Sequence, residues 1–476
     1  MAGHDRAENR TTFVYDVSSG SPDRSRIVHL LRHLLRIEDC ILNESNNPWL
    51  KQLIILIDPP LVGHYPCNMG VRLPATESRD RRLSQRDRAA HHSSDHPCPH
   101  SPRCIGCPLI DVPYSEQLVR KQQLIGRSFE KYPSLTGIRL PCVTPAPFRL
   151  GYRTRIKLVV RATAGDIAAG LYFPGTHRVM DISSCAVHPR PVNQVVRYLK
   201  KKCLELKIVP YDERVDTGQL RYLDLRYSFA RREMSVTLVT RHGEFPQGRT
   251  LARALMRKFT SVGGVIQNIN EQRGNVIWGE RYKVLAGRET LLEKIGRLTL
   301  AYPAGVFSQA NPAAAQIVYD AVGEMAELNK RDTVLDLYCG VGPIALTLAH
   351  QARIVCGFDD NLLAIDTAKQ NARRNGVANC RFFHGDAAQK IAEAQSSFGR
   401  IDCVVLNPPR KGVQPPALAA LIALQAPRLV YVSCEPATLA RDTDRLVQQG
   451  YRLRDLRSFD MFPQTDQVET VALLEK

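Results

Sequence analysis

The stretch Val334-Leu335-Asp336-Leu337-Tyr338-Cys339-Gly340-Val341-Gly342 begins as a short apolar strand and runs directly into a glycine turn. The apolar spacing from Ile344 to His350 predicts a helix immediately after that turn. Glycine lets the backbone approach a bound ligand, and a helix N-terminus offers that ligand free amide groups. The stretch therefore predicts a nucleotide-binding turn, with Gly340 close to the ligand.

Strand and helix patterns alternate around this turn, from residue 312 to residue 476. Short apolar runs predict strands at Thr333–Leu337, Ile354–Phe358, Cys380–His384, Cys403–Leu406 and Leu429–Val432. Longer segments predict helices at Ala313–Leu328, Ile344–His350, Leu363–Asn375 and Pro416–Ala423. This alternation is typical of a doubly wound α/β fold with a mainly parallel sheet.

Acidic residues follow two of these strands. Asp359 ends the second strand, where a carboxylate can accept hydrogen bonds from ribose hydroxyls, and Asp386 follows the third. The alternative for Asp359 is the N-cap of a helix that begins near Asn361. Because the turn at Gly340 lacks the three-glycine fingerprint of dinucleotide sites, the nucleotide prediction depends on these acids as well.

Two further polar residues lie beside predicted strands. Asn407, in Asn407-Pro408-Pro409-Arg410, follows the fourth strand, and the prolines fix a turn that exposes its amide. An amide can match the donors and acceptors of a flat heterocycle, or it can serve the turn alone. Glu469 precedes a final apolar strand, Val471–Leu474, where a lone carboxylate is equally typical of a solvated surface.

A thiol ends the fifth strand, in Tyr431-Val432-Ser433-Cys434-Glu435-Pro436. The carboxyl ends of parallel strands are where α/β enzymes place their chemistry, so Cys434 is a candidate nucleophile. Taken alone, it equally suits a buried packing residue, which is the commoner use of cysteine at such a position.

The formal net charge of +18 is concentrated in the middle of the 476-residue chain. Residues 96–300 carry 34 Lys and Arg against 16 Asp and Glu, whereas residues 1–95 and 301–476 are each within one charge of neutrality. This concentration favours a surface that binds a polyanion, and the alternative is a solvated basic exterior.

The chain divides by pattern into three parts. We interpret residues 1–95 as an extension that is largely disordered or precedes the true start of the protein. Residues 96–300 predict a mostly β, basic domain, with a helix at Ser115–Tyr132 and strands at Gly151–Arg161, Leu225–Thr240 and Val265–Ile277. Residues 301–476 hold the α/β pattern.

The chain shows no run of 18 apolar residues, and its N-terminus lacks the apolar core of a secretory signal. We therefore expect a cytoplasmic protein that does not bind membranes. Thirteen cysteines in such a chain favour metal or catalytic roles over disulfides, and Cys98, Cys104 and Cys107 form a close cluster.

Together these motifs resemble the SAM-dependent RNA (uracil-5-)methyltransferase family, over roughly residues 96–476. The resemblance is carried by the cysteine cluster and by five motifs, Gly305-Val306-Phe307-Ser308-Gln309-Ala310-Asn311, Asp336 to Gly342, Asn407 to Arg410, Ser433 to Asp442 and Phe462-Pro463-Gln464-Thr465-Asp466-Gln467-Val468-Glu469. It implies a Rossmann-like methyltransferase fold for residues 301–476 and RNA binding by residues 96–300.

The resemblance also implies a chemistry. Cys434 would add to carbon 6 of a flipped-out uracil, carbon 5 would take the methyl group from SAM, and Glu469 would remove the carbon 5 proton. The residues that match cofactor-contacting positions or lie in the predicted turns are Gln309, Tyr338, Gly340, Asp359, Asp386 and Asn407.

The cysteine cluster matches the family's iron–sulfur signature, with Cys185 as the fourth ligand. Four thiolates also suit zinc, but the family pattern favours a [4Fe-4S] cluster. These cysteines in turn favour large-subunit ribosomal RNA as the substrate, with tRNA as the alternative. A non-catalytic RNA-binding protein and a methyltransferase that uses another nucleophile are the remaining alternatives, and no obligate protein partner is implied.

The sequence departs from the family pattern in three places. Gln467 replaces a histidine before Val468 and Glu469, and Glu435 replaces an asparagine after the nucleophile. A carboxylate at position 435 is expected to raise the pKa of Cys434. Residues 1–95 lack the alternation of the small β-barrel RNA-binding module that many relatives carry.

Overall fold

The computed structural model describes residues 98–274 and 276–476, so the predictions for residues 1–95 lie outside the described part. All described residues belong to one structural unit. Its strands are β1 (Val143–Thr144), β2 (Arg155–Thr163), β3 (Asp166–Tyr172), β4 (Val179–Asp181), β5 (Leu220–Ser228), β6 (Glu233–Thr240), β7 (Val262–Ile269), β8 (Arg281–Gly287), β9 (Thr290–Ile295), β10 (Leu298–Pro303), β11 (Thr333–Leu337), β12 (Ile354–Asp359), β13 (Cys380–His384), β14 (Cys403–Leu406), β15 (Arg428–Ser433), β16 (Arg452–Phe459) and β17 (Glu469–Glu475).

The α-helices lie between these strands. They are α1 (Tyr114–Phe129), α2 (Arg190–Glu205), α3 (Gly248–Lys258), α4 (Pro312–Met325), α5 (Pro343–Leu348), α6 (Leu362–Arg374), α7 (Ala387–Phe398), α8 (Pro415–Leu424) and α9 (Pro436–Gln448). A short 3₁₀ turn, Pro133–Leu135, follows α1.

The larger sheet has eight strands in the order β1-β16-β17-β15-β14-β11-β12-β13. The five strands from β15 to β13 are parallel, which confirms the predicted doubly wound α/β fold. Strand β17 inserts antiparallel between β15 and β16, a feature that the sequence pattern did not predict.

Apolar packing covers both faces of this sheet. One core cluster joins it to α4, α5 and α6, and another joins it to α8, α9 and α1. Every residue of β11 and β14 is buried, as is typical of central parallel strands, although β11 includes Thr333 and Asp336. Helix α1 comes from the basic middle part of the chain, so that part is packed directly against the methyltransferase-like sheet.

The second sheet has seven strands in the order β4-β3-β2-β5-β6-β7-β8. Helices α2 and α3, which the mostly β prediction omitted, pack on one face through Leu199, Leu251 and Leu255. On β2 the side chains alternate, so that Ile156, Leu158 and Val160 face this core. The opposite face of the sheet has no helix packed over it in the described residues.

Two strand predictions in this region are wrong. The run Leu225–Thr240 is a hairpin of β5 and β6, because the chain turns at residues 229–232 without a glycine or proline to signal it. The run Val265–Ile277 contains only the end of β7, since the chain leaves the sheet after Ile269 and enters a loop.

The packing of α8 gives a stability prediction. Leu421 is fully buried on this helix, so Leu421→Ala should lower the free energy of unfolding by about 2–5 kcal/mol, through lost burial and a cavity. Urea denaturation measures the change. The matched control is Leu204→Ala, whose side chain is exposed on α2, and it should stay within about 0.5 kcal/mol of the wild type. Equal losses from both variants would contradict this account of the core.

Candidate active site

One cavity of about 1650 Å³ lies between the carboxyl ends of the parallel strands and the open face of the second sheet. Its walls include every site residue predicted from the sequence, namely Cys98, Cys104, Cys107, Cys185, Gln309, Tyr338, Gly340, Asp359, Asp386, Asn407, Cys434 and Glu469. The fold therefore brings together residues that are as much as 371 positions apart in the chain.

Cys434 and Glu469 are neighbours across two antiparallel strands. Strand β15 ends at Ser433 and β17 begins at Glu469, and Ser433 pairs with Thr470. The next pair in that register is Cys434 opposite Glu469, and such side chains lie on the same face of a sheet. Glu469 is 4% exposed, so the alternative of a solvated surface acid is wrong.

Burial raises the pKa of Glu469 to about 7, and the positive charge of Arg410 opposes part of that rise. The pKa of Cys434 is raised as well, first by burial and then by the Glu469 carboxylate. The largest carboxylate effect on this thiol comes from Glu469 rather than from the adjacent Glu435. A carboxylate with a pKa near neutrality is suited to take up a proton at physiological pH.

Arg410 is a site residue that sequence reasoning missed. Its side chain hydrogen-bonds with the Cys434 thiol, and its charge lowers the pKa of that thiol against the effect of burial. The same guanidinium lowers the pKa of Glu469, so one cation favours the charged forms of both groups. The sequence did give one signal for Arg410, its position in the motif Asn407 to Arg410 after β14. In that motif only the amide of Asn407 was interpreted.

The glycine turn after β11 is shaped by backbone geometry that favours glycine. Gly340 and Gly342 have φ values of +55° and +87°. A side chain at Gly342 would place its Cβ 2.9 Å from the ring of Phe382. The turn therefore requires glycine at Gly342 for both conformation and space.

Asp359 connects this turn to the neighbouring strand. It accepts hydrogen bonds from the amides of Gly340 (2.8 Å) and Asn361 (2.9 Å). The N-cap of α6 is Asn361, whose side chain accepts from the amide of Ala364, so the N-cap alternative for Asp359 is wrong. Asp386 does cap a helix, since its carboxylate accepts from two amides at the start of α7.

Gln309 reaches the cavity from the segment between β10 and α4. Its side chain hydrogen-bonds with the hydroxyl of Tyr319, which is 2% exposed inside α4. The sequence offered no signal for Tyr319, because an aromatic residue on the buried face of a helix is ordinary core.

The cysteine-lined end of the cavity has buried, mutually interacting thiols. Burial raises the pKa of Cys107 to about 12, and Cys185, Cys104 and Cys98 add to the rise. The Cys185 sulfur accepts hydrogen bonds from backbone amides at Val187 and His188. In residues 98–274 and 276–476, however, no three His, Cys, Asp or Glu side chains are arranged closely enough to hold a metal ion.

The open face of the second sheet contributes basic and aromatic residues. Arg155, Lys157 and the cavity-facing side of β2 line the cavity opposite the thiol. The Lys157 ammonium lies 5.4 Å from the ring centre of Trp278, and the Arg161 guanidinium lies 5.6 Å from that of Tyr172. Such pairs of cations and rings suit phosphates and unstacked bases.

Comparison with solved structures establishes the class. The structure is similar to the crystal structure of a Pyrococcus abyssi tRNA (uracil-54, C5)-methyltransferase in complex with S-adenosyl-L-homocysteine, with a TM-score of 0.64 and 29% sequence identity. The match covers 79% of this chain and 86% of that one. The fold is therefore that of a Rossmann-like methyltransferase.

Sequence comparison establishes the family. The tRNA (uracil-5-)-methyltransferase family model matches residues 232–476. Proteins described as uncharacterized RNA methyltransferases are 39% identical in Geobacter sulfurreducens (80% of this chain, 77% of the relative) and 38% identical in Halalkalibacterium halodurans (80% and 83%). The chain belongs to this family of SAM-dependent RNA (uracil-5-)-methyltransferases, which confirms the predicted enzyme class.

A helix that could span a bilayer is absent from the described ranges, 98–274 and 276–476.

The buried carboxyl of Glu469 gives a pH-dependent stability prediction. Its pKa of about 7 in the folded chain exceeds its usual value of 4.5, so its contribution to stability is complete below about pH 4.5 and is lost as the pH rises through 7. Glu469→Gln should match the wild type near pH 4 and exceed it by up to about 3 kcal/mol near pH 8.5.

Urea denaturation across this pH range checks that prediction. The control is Glu393→Gln, because Lys390 lowers the pKa of the exposed Glu393 carboxyl and its change should have the opposite sign. A wild type and a Glu469→Gln variant with parallel stability curves would refute the assignment of a raised pKa.

Proposed function

We propose that this protein transfers a methyl group from SAM to carbon 5 of a uridine in RNA, through a covalent bond between Cys434 and the uracil. The observation that carries the proposal is the placement of Cys434 beside a buried carboxyl and Arg410, in a cavity that also contains the glycine turn. A protein that only bound RNA would have no need for this combination.

The proposed reaction begins when the Cys434 thiolate adds to carbon 6, which makes carbon 5 an enolate-like nucleophile. SAM, as co-substrate, supplies the methyl group, whose bond to sulfur breaks as the bond to carbon 5 forms. The Glu469 carboxylate then removes the carbon 5 proton. The electron pair left behind restores the double bond between carbons 5 and 6 and expels the Cys434 thiolate.

Arg410 supports the first step in this scheme. Burial disfavours the thiolate of Cys434, and the Glu469 carboxylate disfavours it further. The guanidinium that hydrogen-bonds with the thiol counters both effects and holds the sulfur in one position. We assign Cys434 as the nucleophile, Glu469 as the base and Arg410 as the group that stabilises the thiolate.

The SAM site in this proposal is the glycine-turn side of the cavity. Asp359 ends β12 beside the turn and keeps unused lone pairs for ribose hydroxyls, while the backbone at Tyr338 and Gly340 leaves room for the ligand. Asp386 and Asn407 line the same side at the ends of the next strands. Gln309 lines the same cavity and is the remaining residue that matches a cofactor-contacting position.

Four cysteines are proposed to hold a [4Fe-4S] cluster, as the family pattern implies, with zinc as the alternative. All four line one end of the cavity, and the amide of Gly106 donates to the Cys104 sulfur. Backbone amides at Val187 and His188 donate to the Cys185 sulfur, and such bonds would stabilise the thiolates that a cluster binds. Cys98, Cys104, Cys107 and Cys185 would be its ligands.

For the substrate, we propose large-subunit ribosomal RNA, bound by residues 96–300. The excess of 18 positive charges in that range and the basic open face of the second sheet support RNA binding, and the four cysteines favour the ribosomal substrate. The second candidate is tRNA, because the family model and the Pyrococcus abyssi structure are both named for tRNA.

Mapping of 5-methyluridine tests the reaction. The protein is incubated with SAM and with separate ribosomal RNA and tRNA fractions from cells that lack it, and the products are located by mass spectrometry. Product is expected in the ribosomal fraction, Cys434→Ala should form none, and Glu469→Gln should retain RNA in a covalent adduct. Finding 5-methyluridine only in the tRNA fraction would identify tRNA as the substrate instead. Full activity of Cys434→Ala would refute the covalent mechanism.

The cluster assignment has its own test. An anaerobic preparation should contain iron and sulfide in equal amounts, and Cys104→Ser should lose most of both. The control is Cys203→Ser, because Cys203 lies on the buried face of α2, in the core of the second sheet, and its loss should leave the iron content unchanged. A wild-type preparation that holds zinc, or no metal, would overturn the assignment.

A further inference from the structure

The segment that leads to Glu469 is irregular, yet most of it is buried. Residues 460–468 join β16 to β17 without forming a helix or strand, and we call them the base loop because they end directly before the base. Asp460, Met461 and Gln464 are each under 10% exposed. Buried backbone of this kind needs partners for its polar groups, since few of them can bond within the loop.

Helix α1 supplies several of those partners. The Gln117 amide nitrogen donates to the Gln464 side-chain oxygen at 2.8 Å, and the Gln464 backbone amide donates to the Gln117 side-chain oxygen at 2.9 Å. The Lys121 ammonium is paired with the Asp460 carboxylate and also donates to the Phe462 carbonyl at 3.1 Å. Gln117 and Lys121 are one helical turn apart, so one face of α1 holds the loop from Asp460 to Gln464.

Three more hydrogen bonds, one from the first residue of α1 and two from residues outside it, also hold the base loop. The Tyr114 hydroxyl donates to Asp460 at 2.8 Å, and the Leu109 amide donates to the Gln464 carbonyl at 3.1 Å. The Tyr152 hydroxyl donates to the Pro463 carbonyl at 3.0 Å. The loop is therefore fixed by the chain segment that immediately follows the cysteine cluster, rather than by its own sheet alone.

The side chains that make these bonds are unusual for the inner face of a helix. Gln117 and Lys121 are each only 1% exposed, and burying an amide or an ammonium is unfavourable unless its hydrogen bonds are made. Apolar residues would pack α1 against the sheet at lower cost. The polar pair instead makes directional hydrogen bonds, which fix the position of the loop backbone more tightly than apolar contacts do.

We propose that Gln117 and Lys121 are positioning residues for catalysis, which act by holding the base loop so that Glu469 faces the target carbon opposite Cys434. The inference rests on the proposed function and extends it from the reacting groups to the segment between the cysteines and β2. Cys434 directly follows β15 and Arg410 lies in the turn after β14, whereas the hydrogen bonds of Gln117 and Lys121 described above go to the base loop.

Loss of the hydrogen bonds between α1 and the base loop should therefore affect some steps of the reaction and not others. Addition of Cys434 and methyl transfer require the thiol and Arg410, whereas release of the product requires the proton removal by Glu469. A displaced base loop should therefore slow the last step and leave methylated RNA attached to Cys434. A role of α1 in folding alone would lower adduct and product together.

The test is Gln117→Met, which keeps the length of the side chain and removes its hydrogen bonds. Product formation should fall roughly 10- to 100-fold, the scale typical of a misplaced catalytic group, and a denaturation-resistant protein–RNA adduct should accumulate above the wild-type level. Denaturing gel electrophoresis with labelled RNA measures both. The matched control is Gln122→Met on the same helix, where Gln122 makes only a 3.5 Å contact to the Leu140 carbonyl and should leave both levels unchanged.

A second variant keeps the test decisive if Gln117→Met does not fold. Tyr152→Phe removes one hydroxyl, the donor to Pro463, and should show a smaller fall in product with the same accumulation of adduct. Slow product without adduct in a folded variant, or wild-type behaviour of both variants, would overturn the proposal. Failure of Glu469→Gln itself to form adduct would instead count against the proposed reaction.

Discussion

The antiparallel pairing of β17 with β15 is the constraint on which the site depends. A register of Ser433 with Thr470 brings Cys434 and Glu469 to adjacent strand ends on one rim of the sheet. A shift by one residue would turn Glu469 to the other face. The sheet thus sets the spacing of nucleophile and base through backbone hydrogen bonds, and burial of the pair then raises both pKa values and leaves Arg410 to balance them.

Much of the larger sheet could be predicted, because its parallel strands are short apolar runs between glycine, proline and acidic residues. The strands β11, β13 and β14 have the predicted bounds. The antiparallel direction of β17 could not be predicted, since an apolar strand carries no mark of its partner. In the second sheet, a hairpin without glycine or proline at residues 229–232 concealed a strand boundary.

The site residues that belong to compact sequence motifs could be predicted. The residues that hold them in place could not, because they lie far away in the chain. Every predicted residue lines one cavity, yet Arg410 was noted only as part of a turn, and Tyr319 was indistinguishable from core. Gln117 and Lys121 look like the polar face of an amphipathic helix in sequence. Their burial depends on the base loop, which lies more than 300 positions further along the chain.

The insertion of β17 also has a consequence for the order of folding. Its partners β15 and β16 both precede it in the chain, and β17 must enter the gap between them. Until it does, the sheet has two unpaired edges and the thiol has no base beside it. The pairs between β15 and β17 join residues at least 37 positions apart, and such non-local pairings form slowly. A chain in which these two strands are not yet paired therefore holds the nucleophile without its base.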